Sequence, residues 1–211
     1  MDIHRVYRPI LQHFRRRRMQ RFAQLFSITE RTTVLDLGGG PFNWSLLAVR
    51  PKLTVLDINP EMEGPRDGIV YVRGDGCKTA FPDKSFDVVF SNSVIEHVGD
   101  IDRQRQFAGE CMRCGHGFYV QTPNKWFPID PHTFLFFAHW LPKRFFNKIM
   151  WISPRFLLSK PSEGDIRDFR AMRLLSKRDL RELFPGAEII QERFCGITKS
   201  LIAVSRNPLQ K

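Results

Sequence analysis

The 211-residue chain contains no run of about 18 uncharged apolar residues, so it is not expected to carry a membrane-spanning helix. Its first ten residues, MDIHRVYRPI, have no apolar core of a secretory signal, so a cytoplasmic location is expected. Cysteine is scarce, with four residues at 77, 111, 114 and 195. Cys111 and Cys114 have metal-ligand spacing and His116 nearby, but there is no second ligand pair. Gly115 occupies the position where a haem-attachment motif needs histidine. No metal is therefore expected, and the thiols read as reduced. Acidic residues are also in the minority, 22 against 33 Lys and Arg, for a net charge of +11. Repeats and low-complexity stretches are absent. What remains, 42% hydrophobic and 12% aromatic, suits one folded domain spanning residues 1–211.

Val34 to Ser45, VLDLGGGPFNWS, is the most informative stretch. An apolar strand runs into Gly38-Gly39-Gly40, and Pro41 and Asn43 open a helix. Glycines at such a junction let a ligand lie against bare backbone, and the helix N-terminus offers N–H groups to its polar atoms. About twenty residues on, Leu53 to Asn59 forms a second strand that ends in Asp57, followed by Ile58. An acid at that spacing is placed to accept from two ribose hydroxyls. The third glycine of a dinucleotide fingerprint is missing, and so is the G-K-[ST] of a phosphate loop. A third strand, Ile69 to Arg73, precedes Gly74-Asp75-Gly76, where the acid could accept from an adenine amino group.

Asp36-Leu37-Gly38-Gly39-Gly40 resembles the acidic-x-Gly-x-Gly motif of class I S-adenosylmethionine-dependent methyltransferases, although Phe42 stands where that family often has a further glycine. Phe81 to Asn92, FPDKSFDVVFSN, resembles that family's segment leading into the strand beneath the cofactor. Val94-Ile95-Glu96-His97-Val98 resembles the segment that opens the next helix in quinone-type and related small-molecule members. The resemblance spans roughly Thr32 to Thr122. It implies a Rossmann-like, doubly wound α/β fold, with a mostly parallel seven-stranded sheet and an antiparallel final strand. It also implies S-adenosylmethionine as cofactor and S-adenosylhomocysteine as product. The implied cofactor residues are Asp36, Gly38, Gly39, Gly40, Asn43, Asp57, Ile58, Gly74, Asp75, Gly76, Asn92 and Ser93.

Strands are expected at 33–37, 53–57, 69–73, 86–91 and 116–121, and a final hairpin at 187–194 and 197–205. Helices are expected at Tyr7–Phe26, around Asp102–Cys114, and from an N-cap at Ser176 with Asp179 three residues on. Charge is uneven: net +6 over residues 1–31, −3 over the cofactor core 32–121, +5 over 122–175 and +3 over 176–211. Arg15 to Arg18 and Arg21 supply the polar side of the first helix, either as a solvated face or as a site for anionic lipid headgroups or an acidic substrate.

Residues 122–175 form an insertion of about fifty residues, too long to lack structure, so an aromatic-rich helical lid is expected. Phe134–Trp140 and Phe145–Trp151 are its helical candidates. Aromatic rings with interleaved Lys and Arg fit lid packing, contact with an apolar substrate, or an anionic membrane surface.

Methyl transfer needs an acceptor held in line and water excluded. An acceptor with a proton to lose also needs a base near neutral pKa. His132, just past the fifth strand, is the favoured base, with Asp130 beside it. His97 is assigned to substrate or cofactor contact, and Asn124, Trp126 and Trp140 to the acceptor. Asn92-Ser93-Val94-Ile95 lacks the N/D-P-P-Y motif of DNA and glutamine amino-methyltransferases. The expected acceptor is therefore small or lipid-like, methylated at oxygen or carbon. Nucleic acid is disfavoured as a partner because no RNA-binding module is present. The alternatives are an RNA methyltransferase using the basic flanks and a catalytically silent cofactor-binding protein.

Overall fold

The structure is a computed structural model that describes residues 3–58, 63–130, 133, 135–153, 157, 166 and 171–206. Helix α1 (Ile3–Leu25) leads into strand β1 (Thr33–Leu37), the single-turn helix α2 (Pro41–Trp44) and β2 (Lys52–Asp57). Strands β3 (Gly64–Arg66), β4 (Ile69–Arg73) and β5 (Phe86–Asn92) follow, then α3 (Ile101–Cys114) and β6 (Gly115–Pro123). The insertion holds α4 (Lys143–Ile149) between two short 3₁₀ turns, Ala138–Trp140 and Met150–Ile152. Helix α5 (Lys177–Leu183) and strands β7 (Glu188–Phe194) and β8 (Ile197–Ser205) complete the described elements.

The sheet order is β3-β4-β2-β1-β5-β6-β8-β7. Strands β4, β2, β1, β5 and β6 are parallel, while β8 runs antiparallel to both β6 and β7. The parallel strands read as nearly continuous apolar runs because both sheet faces are covered. Neighbouring residues go to opposite faces: Leu35, Leu56, Val89 and Val120 pack beneath α3 and α5, whereas Val34, Val55, Val88 and Phe90 pack beneath α1 and α2. On the second face Phe22 of α1 meets Phe90, Tyr119 and Trp44, with ring centroids 4.9, 5.5 and 5.9 Å away. No helix among the described residues is long and apolar enough to cross a membrane.

Three local features depart from the sequence reading. An eighth strand, β3, pairs antiparallel with β4 through a two-residue turn. Asp67 (φ +53°) and Gly68 (φ +77°) both adopt left-handed backbone there, as an Asp-Gly hairpin requires. Val94 to Val98 forms a turn instead of opening a helix. Gly99 (φ +121°) breaks the chain, and Asp100 caps α3 by accepting from Arg103 N. In the insertion only Ala138–Trp140 of the first candidate is helical, because an Ile129–Phe136 bridge holds the preceding residues extended and Phe137 sits at φ +58°. The capping box at Ser176 and Asp179 forms as expected.

Candidate active site

The C-terminal ends of β1, β2, β5 and β6 meet along one edge of the sheet, and the glycine turn lies at its centre. Gly38 takes φ +71° and donates its N–H to Leu56 O at 2.8 Å. A Cβ on Gly38 would fall 2.7 Å from Val94 Cγ1, and one on Gly39 would fall 1.7 Å from Asp36 Oδ2. These two glycines therefore serve the turn itself. Asp36 is folded beneath it, and its Oδ2 accepts from Trp44 Nε1 at 2.7 Å. Gly40 differs, because a Cβ there would meet nothing within 4 Å. It is the position where the turn presents bare backbone to open space.

Asp57 stands at the end of β2, where its carbonyl accepts from Gly74 N at 2.9 Å, and Ile58 beside it is exposed. Asn43 is buried within α2. Asp75 is committed elsewhere: Arg103 Nη2 donates to both of its oxygens at 2.9 and 2.8 Å, and Cys77 N donates to Oδ1. These bonds hold its carboxyl below the usual range despite the opposing effect of burial. Gly74 packs on Leu56 and Gly76 on Phe107. Ser93 (φ +58°) donates through N and Oγ to Gln121 O and Oε1, at 3.0 and 2.9 Å.

Two fully buried carboxyls flank the edge, each with one oxygen lacking a hydrogen-bond partner: Asp36 Oδ1 and Glu96 Oε1. Burial pushes Asp36 up to about 7, opposed by the Trp44 hydrogen bond and reinforced by the charge of Asp57. Burial likewise pushes Glu96 up to about 7, against hydrogen bonds that include Thr122 Oγ1 donating to Oε2 at 3.0 Å.

Sequence reasoning missed Arg18. It is buried, and its Nε and Nη2 donate to the two oxygens of Glu192 at 3.1 and 2.5 Å. Its Nη1 donates to Gln121 Oε1 at 2.9 Å and also to Asn92 Oδ1. Asn92 is thus held by α1. A polar residue in the helical register of Phe14, Phe22 and Leu25 was the only signal, and the run Arg15–Arg18 concealed it.

The insertion is rooted at the same edge. Asn124 bridges to Leu175, its N donates to Lys199 O at 2.9 Å and its Nδ2 donates to Thr198 O at 2.8 Å, so it acts as a strut. Asp130 is fully buried: Oδ1 accepts from Thr133 N at 2.8 Å, and Oδ2 lies 3.5 Å from His139 Nδ1. Trp126 and Trp140 are exposed, with ring centroids 6.1 Å apart, and Trp140 Nε1 donates to Lys125 O at 2.8 Å. His97 is exposed on the turn after β5. His132 lies outside the described residues.

The residues fit S-adenosylmethionine. Gly40 gives open backbone beside the strand ends, and Asp57 supplies an acceptor at the end of β2. Comparison with known proteins agrees. A family described as "Methyltransferase domain" matches residues 11–188. An uncharacterized methyltransferase of Mycobacterium sp. (strain JLS) is 38% identical over 74 residues, which is 32% of this chain and 29% of that protein's length. An S-adenosylmethionine-dependent methyltransferase structure from Mesorhizobium loti has a TM-score of 0.51 at 18% identity, covering 86% of this chain and 93% of the other. A Rhodobacter sphaeroides structure described as a Zn-dependent alcohol dehydrogenase reaches 0.62 at 15% identity, covering 90% and 89%. At these identities the structural likeness is one of fold alone. The family match, the glycine turn and the acid at the end of β2 together identify the chain as a member of the methyltransferase-domain family, with S-adenosylmethionine as its cofactor.

Proposed function

We propose that the chain transfers the methyl group of S-adenosylmethionine to a small, lipid-like acceptor, at oxygen or carbon. The observation that carries the acceptor class is the insertion. It leaves Trp126, Phe136, Phe137, Trp140, Phe145 and Trp151 substantially exposed on a segment rooted beside the glycine turn. A run of exposed aromatic side chains beside a binding edge marks a surface that contacts an apolar ligand or a lipid interface. S-adenosylmethionine supplies an electrophilic methyl group. The chain's own residues orient the acceptor against it and keep water away.

Calorimetric titration with S-adenosylmethionine and S-adenosylhomocysteine tests the reading. Both are expected to bind the parent protein. Asp57→Ala should weaken both by about 1.5–3 kcal/mol, the range for hydrogen bonds to a charged group. Gly40→Val should abolish binding while leaving the thermal midpoint unchanged, because its new side chain enters open space. Parent-like affinity in both variants would remove the cofactor assignment.

The same insertion supports a transient seat on an anionic membrane surface. Lys125 lies 5.3 Å over the Trp126 ring and Arg144 4.9 Å over Phe145, pairing cations with rings as an interface requires. Sedimentation with phosphatidylglycerol vesicles should exceed that with phosphatidylcholine and fall about tenfold in Trp126→Ser/Trp140→Ser. Equal sedimentation with both lipids, or no loss in the variant, would count against the seat.

A further inference from the structure

Arg18 consumes the carboxylate of Glu192, using both of its oxygens. Two more cations stand around this ion pair, Arg15 on the same helix and Lys199 at the start of β8. Among the described residues neither forms an ion pair of its own. Lys199 Nζ lies 4.1 Å from the centroid of the Phe14 ring, and Arg15 Cζ lies 5.4 Å from that of Phe42. Their place in the fold is specific. Phe42 follows the Gly38–Gly40 turn by two residues. Lys199 accepts at its carbonyl from Asn124 N, the root of the insertion, and the next residue, Ser200, pairs with Pro123 at the end of β6. The two cations therefore lie at the cofactor edge, on the face covered by α1, between the glycine turn and the insertion.

Three cations share one carboxylate here, so the cluster keeps positive charge in a half-enclosed place. The titration of Lys199 reflects this. Partial burial first, then repulsion by Arg18, lowers its pKa, with Glu192 opposing and Arg15 adding to the repulsion. Arg15 is exposed at its surface, yet desolvation and Arg18 lower it too. An anion placed between the two would relieve both. The guanidinium offers a planar fork of donors and the ammonium a point charge, the combination that suits carboxylate or phosphate oxygens. The ring faces of Phe14 and Phe42 give the ligand apolar flanks.

We propose that Arg15 and Lys199 hold an anionic group of the methyl acceptor, a carboxylate or a phosphate, whose apolar part extends beneath the aromatic insertion. The word "acceptor" rests on the methyltransferase reading, whereas the anion site does not.

The test is calorimetric titration, below the micellar range, with dodecyl phosphate, dodecanoate, inorganic phosphate and the neutral dodecyl maltoside. The proteins are the parent, Lys199→Gln, Arg15→Gln and their double variant, each checked by thermal melting. Arg16→Gln/Arg17→Gln, two exposed positions on α1, controls for net charge. The charged amphiphiles are expected to bind the parent more tightly than the maltoside, and the double variant is expected to bind them at least about tenfold less tightly. Affinity for S-adenosylmethionine and the behaviour of the Arg16/Arg17 control should be unchanged. The ratio of dodecyl phosphate to dodecanoate identifies which anion the site takes. The maltoside binding as tightly as the anions, or the double variant matching the parent, would overturn the site. S-adenosylmethionine failing to bind while the double variant still loses dodecyl phosphate would overturn the methyltransferase reading alone. The reverse pattern would overturn the anion site alone.

Discussion

Replacing Arg18 by methionine is expected to cost about 3–5 kcal/mol of folding stability, the penalty for leaving one partner of a buried ion pair uncompensated. The side chains of Arg18 and Glu192 are each only 7% exposed, so water cannot take over the lost contact. Methionine keeps most of the arginine's apolar length, so the loss reports charge and hydrogen bonding more than volume. Gln121 and Asn92 also lose the donor that holds them at the ends of β6 and β5. Lysine should rescue little, because one ammonium cannot serve two carboxylate oxygens and two amide oxygens in the geometry of a guanidinium fork. The decisive comparison is Arg18→Met with Glu192→Met together. With no charge left to strand, the double variant should recover most of the stability in urea denaturation. A single variant losing less than about 1 kcal/mol would mean that the pair is solvated and that α1 is held by Phe22 and Met19 alone. Because Asn92 and Gln121 sit at the cofactor edge, the loosened helix should also weaken ligand binding in the single variant.

The same arginine marks the limit of what the residues disclose before folding. The apolar runs of β1, β2, β4, β5 and β6 were legible because strands buried on both faces need nearly every position apolar. The capping box at Ser176 and the acid closing β2 were legible because each is a local signal with one physical meaning. Arg18 was not, since its partners lie 74, 103 and 174 residues away and only the packed sheet brings them together. The glycine run was legible as a turn but not in its division of labour. That Gly39 makes room for the Asp36 carboxylate, and that Gly40 alone faces open space, depends on where Asp36 and Trp44 come to rest. The turn at Val94–Val98 read as a helix start because its amphipathic spacing is helical, and the backbone break at Gly99 overrode it.

Stability is also expected to fall as the pH rises from about 5 to 8, the reverse of the acid denaturation that most paired carboxylates produce. Asp36 and Glu96 are both fully buried, and burial pushes each up to about 7. A group whose folded pKa exceeds its unfolded value holds its proton more tightly in the folded state. Its stabilising effect is complete below the unfolded pKa and is lost as the pH climbs through the folded one. Glu110 works in the opposite sense and in another window. Hydrogen bonds and charge from Arg113, with help from Thr79, pull it down to about 2, so its contribution is lost only as the pH drops below about 4.5. The two windows barely overlap, which places the stability maximum near pH 5. At about 1.4 kcal/mol per unit of pKa difference, Glu96 alone changes stability by roughly 3 kcal/mol across its window. Glu96→Gln keeps the shape of the side chain and the Thr122 hydrogen bond but cannot ionise. Urea denaturation at pH 5, 6, 7 and 8 should therefore show the variant near the parent at pH 5 and above it at pH 8. Asp36→Asn should remove a comparable part of the slope while retaining an oxygen for Trp44 Nε1. A parent protein whose stability is flat or rising over this range would show that the two carboxyls ionise without cost and that water or a cation reaches Asp36 Oδ1 and Glu96 Oε1. An unchanged slope in Glu96→Gln alone would place the whole effect on Asp36, the carboxyl beneath the glycine turn.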